Sequence, residues 1–213
     1  MNSRTKHTIY PLPTHLLRRD RGQGFQRSPL FALAILVLVG VCTPSLARAN
    51  PPEAEATAIE AAMLRNFARY VTWPKTAFHD EKAPWRICVL GSDPFGPILE
   101  RTVLGRIEQG RSFAITRASE PSELTSCQIV FVGGLEEQLR RRALATWKGL
   151  PILTVSGDPG FLQEGGTIRF DIADRVEISV NLDQSRSLGL TIQTKLLEVA
   201  REVLDNGSIR RRH

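Results

Sequence analysis

Three apolar runs, residues 85–91 (WRICVLG), 127–134 (CQIVFVGG) and 150–157 (LPILTVSG), restrict the folds open to this chain more than any other feature. Each is continuously apolar rather than alternating, so a strand formed there must be covered on both faces, as in parallel sheets flanked by helices. Each ends in small, turn-forming residues just before an expected helix, with the first two helical patterns at 93–104 (DPFGPILERTVL) and 135–147 (LEEQLRRRALATW). In the second pattern Leu135, Leu139, Ala143 and Trp147 share one side, which sends the arginines at 140–142 outward. Residues 112–118 (SFAITRA) alternate weakly and add a further strand. Strands alternating with helices predict an α/β fold with a mainly parallel sheet between two helical layers.

The last third breaks the alternation. Residues 167–172 (TIRFDI) and 176–182 (VEISVNL) are separated by Ala-Asp-Arg, and Val176, Ile178, Val180 and Leu182 fall on one face. That pattern is an antiparallel hairpin, expected at the C-terminal edge of the sheet. A final helix is predicted over residues 188–204, followed by a basic, flexible tail at 206–213. The expectation is one three-layer α/β domain over residues 57–205, with no internal repeat and a short polar lead-in at 50–56.

Residues 1–49 read as a secretory signal: an arginine-rich segment, an apolar run from Leu30 to Cys42, then Ala47-Arg48-Ala49 in the small-x-small form of a cleavage site. Thirteen apolar residues fall short of the roughly 20 that span a bilayer, so cleavage near Ala49 and a periplasmic location are expected. Val41 before Cys42 does not suit a lipoprotein. Arg18-Arg19 is followed by charged Asp20 and Arg21, which favours the ordinary export route over the twin-arginine one. Without this segment the 28 Lys and Arg fall to 21 and the 22 Asp and Glu to 21, so the formal charge of +6 belongs to the leader. A neutral mature chain removes the electrostatic basis for nucleic-acid binding.

The mature chain opens on a helix containing AAMLRNFARYVTWP, residues 61–74. Thr57 with Glu60 three residues on fits a capping box. At 100° per residue Ile59, Ala62, Met63, Phe67, Tyr70 and Trp73 form the apolar side, with Pro74 stopping the helix. Asn66 lies within that stripe and requires a hydrogen-bond partner. Cys88 and Cys127 are an even pair in an oxidising compartment, hence a disulfide candidate. Both also lie in strand-like apolar contexts where free thiols are commonly buried.

Residues for chemistry are few. The mature chain holds only His79 and His213, no Gly-x-Ser-x-Gly elbow and no phosphate loop. Asp93, Asp158 and Asp171 are explained as well by turns and exposure as by acid/base work, and Cys88 has no visible base. No catalytic residue, metal site or cofactor is expected. The strand ends carry Gly91, Ser92 and Asp93, then Gly133 and Gly134, then Ser156 and Asp158. In open parallel sheets ligands bind at that edge, where an anion or nucleotide would be cradled. Tight turns demand the same residues.

Taken together, AAMLRNFARYVTWP, ICVLGSDPFG, CQIVFVG, PILTVSGDPGFLQEGGTIRF and ISVNLDQSRSLGLTIQTKLLEVAR resemble the YfiR family of exported bacterial proteins over nearly all of the mature chain. The resemblance implies a periplasmic repressor that binds the periplasmic part of an inner-membrane diguanylate cyclase and keeps it inactive. Capture of the repressor by an outer-membrane lipoprotein, or redox damage to it, then raises cyclic di-GMP and favours biofilm formation. Cys88 and Cys127 match a cysteine pair of the family, which supports their bridging. A second pair found in some members has no counterpart here, which argues against redox control through it. Ile172, Val176 and Leu190 are candidates for a partner patch, with core packing as the alternative and homodimerisation left open. The competing functional reading is a small-molecule sensor acting through the turns at Gly91, Gly133 and Ser156.

Overall fold

The computed structural model describes residues 51–172 and 175–211. The expected signal segment with its expected cleavage near Ala49, residues Ala173 and Asp174, and the terminal Arg212 and His213 lie outside the described residues. In chain order the elements are α1 (Pro51–Tyr70), β1 (Val71–Thr72), β2 (Trp85–Gly91), α2 (Pro97–Val103), β3 (Phe113–Ala118), β4 (Ile129–Gly133), α3 (Glu137–Thr146), β5 (Leu153–Ser156), β6 (Ile168–Ile172), β7 (Val176–Asn181), α4 (Leu182–Ser187), β8 (Thr191–Ile192), α5 (Thr194–Glu198), β9 (Glu202–Asp205) and β10 (Ser208–Arg211).

Eight strands form one mixed sheet in the order β10-β9-β7-β6-β5-β4-β2-β3. The pairs from β3 through β6 are parallel, and β6 and β7 form the expected antiparallel hairpin, but not at the expected edge: β9 pairs parallel to β7 and β10 antiparallel to β9, which extends the sheet beyond it. The two faces of the central strands separate two cores. Ile87, Val89, Ile129, Phe131, Leu153 and Val155 pack with Leu64 and Phe67 of α1 and Leu99 of α2. Cys88, Leu90, Val130 and Val132, one residue out of phase, pack with Ala143 and Trp147 of the α3 side and with Phe161. The predicted α/β sheet between helical layers is thus present, and the unbroken apolar runs are explained by burial on both faces.

Several element predictions need correction. Helix α1 begins at Pro51, not at Thr57. Proline is tolerated in a first turn because the leading N–H groups have no intrahelical partner there. Thr57 sits inside the helix, its Oγ1 donating to Glu53 O at 3.0 Å, so it caps nothing and Glu60 completes no capping box. The buried stripe is Ala61, Leu64, Ala68 and Val71 with Phe67, whereas Ile59 is exposed and Met63 and Tyr70 are half-buried. Two alanines on that stripe let the helix lie close to the sheet. Asn66 finds its partner in the adjacent Arg65, whose Nη2 donates to Asn66 Oδ1 at 3.0 Å.

The helix stops at Tyr70 because Val71 and Thr72 pair antiparallel with Ile192 and Thr191. Trp73 is buried edge-on against Trp85, ring centroids 5.0 Å apart, and its Nε1 has no hydrogen-bond partner among the described residues. The single helix predicted over 188–204 is broken into β8, α5 and β9. Gly189, at φ +70°, ends α4, and the β-branched pair Thr191-Ile192 is drawn into the small second sheet. The tail is not free either. Asn206 and Gly207, both at positive φ, form a two-residue hairpin turn between β9 and β10. Asp183 accepts from the N–H groups of Asn206 and Gly207 at 2.8 and 2.9 Å, and these bonds hold its carboxyl below the usual range.

Candidate functional site

The parallel strands bring the predicted turns to one end of the sheet. Gly91 and Gly133 are a register pair of β2 and β4, and Ser92 N donates to Gly133 O at 2.9 Å. The approach is too close for side chains. A Cβ on Gly91, already at φ +81°, would lie 2.4 Å from Gly133 O, and one on Gly133 would lie 2.3 Å from Ser92 O. These glycines are spacers that let the two strand exits meet.

Beside them Ser92, Asp93, Gly133, Gly134, Ser156 and Asp158 line a cleft of about 400 Å³ together with Phe131, Pro94, Ile172 and Glu60 of α1. Six of the seven turn residues singled out in the sequence therefore share one cavity, with Gly91 just behind it. The carboxylates and the Ser156 hydroxyl contributed by the turns already have partners. Asp93 Oδ1 accepts from Phe95 N at 2.8 Å and its Oδ2 from Arg117 Nε at 2.6 Å. Arg117 is also bonded to Glu100, and this pairing lowers the Glu100 pKa. Ser156 Oγ lies 2.7 Å from Val132 O and 2.9 Å from Asp158 Oδ2, while Asp158 Oδ1 accepts from Arg140 Nη1 at 3.0 Å.

Arg140 is the residue that sequence periodicity misplaced. It points inward from α3, donating through Nε and Nη2 to the two oxygens of Glu164 at 2.9 and 2.7 Å and through Nη1 to Leu135 O. Leu139, expected inside, is 47 % exposed. A single guanidinium thus ties the β4–α3 turn to both ends of the β5–β6 loop and fixes the wall of the cleft.

Glu60 stands apart from these paired groups. Its residue is only 6 % exposed, it lines the cleft, and among the described residues its carboxyl has no hydrogen-bond or ion-pair partner. Burial raises its carboxyl pKa to about 7. The folded protein therefore holds a proton that the unfolded chain releases near 4.5, and stability falls as pH rises through that window. Urea unfolding should show the wild type losing on the order of 1–2 kcal/mol more than Glu60→Gln between pH 5 and pH 8, the full shift being discounted for the solvent that reaches the cleft. Parallel pH profiles for the two proteins would refute this assignment.

The expected partner patch does not stay together. Ile172 is 59 % exposed at the end of β6 and joins the half-buried Val176 in a second recess of about 670 Å³, shared with Ile59, Pro94, Glu53 and Arg175. Leu190 is 2 % exposed and packs in the α1-side core. Cys88 and Cys127 are joined in a disulfide, Cα atoms 6.2 Å apart, on the α3 side of the sheet. Among the described residues no group of His, Cys, Asp and Glu could hold a metal ion, and no helix is long and apolar enough to cross a membrane.

The family model described as YfiR/HmsC-like matches residues 57–201, from the middle of α1 to the entry of β9. The chain belongs to the YfiR/HmsC-like family. YfiR/HmsC-like proteins are periplasmic, non-catalytic regulators tied to the diguanylate cyclase system that sets cyclic di-GMP. A solved structure of a conserved domain protein from Vibrio cholerae O1 biovar El Tor strain N16961 is also similar, at 9 % identity and a TM-score of 0.47. The alignment covers 69 % of this chain and 60 % of that one.

Proposed function

We propose that the protein represses an inner-membrane diguanylate cyclase by docking on its periplasmic region and favouring the inactive state. The observation carrying this reading is the YfiR/HmsC-like match across residues 57–201, which takes in every strand end that builds the cleft and its neighbouring recess. Chemistry points the same way. The cleft carboxylates Asp93 and Asp158 are each locked to an arginine, an arrangement suited to holding shape. Repression then needs only a higher affinity for the inactive receptor than for the active one, since a tenfold preference moves the equilibrium by about 1.4 kcal/mol.

The docking face we assign is the recess beside α1, where exposed Ile59 and Ile172 flank Val176. An outer-membrane lipoprotein competing for the repressor would release the cyclase. Deleting the gene should raise cyclic di-GMP in the host, and re-expression should lower it again. Re-expression of Ile59→Asp/Ile172→Asp should restore neither the low level nor co-purification of a cyclase, with folding unchanged by circular dichroism because both side chains are exposed. Unaltered cyclic di-GMP in the deletion strain would sink the repressor reading; full rescue by the double variant would remove this face from it.

A further inference from the structure

We infer that the cleft at the carboxyl ends of β2, β4 and β5 binds a small ligand through an ammonium group received by Glu60, with a short apolar stem lying against Phe131 and Ile172. The inference is independent of which receptor the protein docks on.

The charge of the cleft decides the ligand class. Glycine-rich turns at strand ends suggest an anion site, but here the unused group is an acid. Among the described residues around the cleft, each arginine is already engaged by carboxylates. Arg117 is held by Asp93 and Glu100, and Arg140 is held by Asp158 and Glu164. Arg175, in the adjoining recess, is paired to Glu177 at 2.6 Å. Glu53 and Glu55 of α1, which line that recess too, add further negative charge. Asp93 and Asp158 are each ion-paired to an arginine, though each arginine is shared with a second carboxylate, which leaves Glu60, among the described residues, as the cleft-lining carboxyl without an ion-pair partner.

A carboxyl on a residue only 6 % exposed, without a partner among the described residues, is costly to keep ionised unless a donor arrives, because much of its hydration is lost. An ammonium group supplies both the donor and the charge. A divalent cation would need more oxygen ligands than this carboxyl and two arginine-bound aspartates offer. Size and lining agree with a small organic molecule: about 400 Å³ falls within the usual range of ligand pockets, and Phe131, Pro94 and Ile172 give an apolar wall. Because the Glu60 carboxyl has its pKa near 7, an ammonium ligand must displace a proton from it at lower pH. Affinity should therefore fall about tenfold from pH 8 to pH 6.

The test is calorimetric titration of the protein recovered from the periplasm with n-hexylammonium chloride, using n-hexanol, sodium hexanoate and inorganic phosphate as neutral and anionic comparators. Saturable binding of n-hexylammonium alone is expected, weakened at least tenfold in Glu60→Gln and about tenfold between pH 8 and pH 6. The Glu60 side-chain carboxyl carbon should also shift on saturation in a ¹³C-detected spectrum. Absence of saturable binding, equal binding by Glu60→Gln, or a preference for hexanoate or phosphate would each overturn the inference. Glu60→Gln removes a buried charge, so a folded variant is expected, and its circular dichroism verifies that loss of binding is not loss of structure.

Discussion

Replacing both bridged cysteines, Cys88→Ala with Cys127→Ala, is expected to cost at least about 4 kcal/mol of stability and lower the melting temperature by about 10 °C or more. The bridge closes a loop of 39 residues, and on the chain-entropy account that restriction of the unfolded chain alone supplies roughly 4 kcal/mol. Truncation adds to it, since Cys88 is fully buried among Leu90, Val130 and Trp147. Against a total stability of about 5–15 kcal/mol the loss is a large fraction. The cleft lies at the carboxyl ends of the strands, whereas the bridge joins the middle of β2 to the segment entering β4. Binding at Glu60 should therefore survive in the variant at temperatures where it remains folded. Denaturant unfolding of oxidised, reduced and double-alanine protein provides the measurement. A difference below about 1 kcal/mol would mean that the bridge restrains little in the unfolded ensemble.

How much of this was legible in the sequence differs from element to element. The parallel strands were plain because residues such as Ile87 to Leu90 and Ile129 to Val132 are apolar on both faces, a pattern that neither a half-exposed strand nor a surface helix produces. The turns that line the cleft were legible for the same reason: strand ends fix where the next residues must sit. The segment after Leu188 was not, because its apolar spacing suits a helix while its fate is set by partners far away. Thr191 and Ile192 pair with Thr72 and Val71, and Glu202 to Leu204 pair with residues 179–181. Asn206-Gly207 did carry a local hairpin signal, but a helix drawn up to Leu204 leaves it no preceding strand.

Glu60 shows a different limit. Its spacing from Thr57 fits a capping box, and only the sheet beneath α1 reveals that the same side chain is buried over the strand ends. Local pattern assigned it a role at the helix terminus; the neighbouring alanines at 61 and 62, which permit close approach, were the one hint of burial.

Arg140→Met is expected to cost about 3–5 kcal/mol at pH 7, because it strands the Glu164 carboxylate, 3 % exposed, without its cation. Three consecutive arginines conceal which one turns inward, and Arg140 is selected by an acid 24 residues downstream, a partner that helical periodicity does not register. In the wild type the Arg140 hydrogen bonds hold the Glu164 carboxyl below its ordinary range. The folded-state value is therefore depressed, so the stabilisation is fully present above the unfolded value of 4.5 and is lost as pH falls through the folded one. Arg140→Met reverses the sign. Glu164 becomes a buried acid with a raised pKa, which gains stability as falling pH protonates it. The deficit measured by urea unfolding should consequently be largest near pH 7 and shrink toward about pH 4. Adding Glu164→Gln should recover most of the loss at pH 7, since the remaining amide carries no charge to strand. A deficit independent of pH, or one left unchanged by Glu164→Gln, would assign the role of Arg140 to packing of its stem rather than to the ion pair.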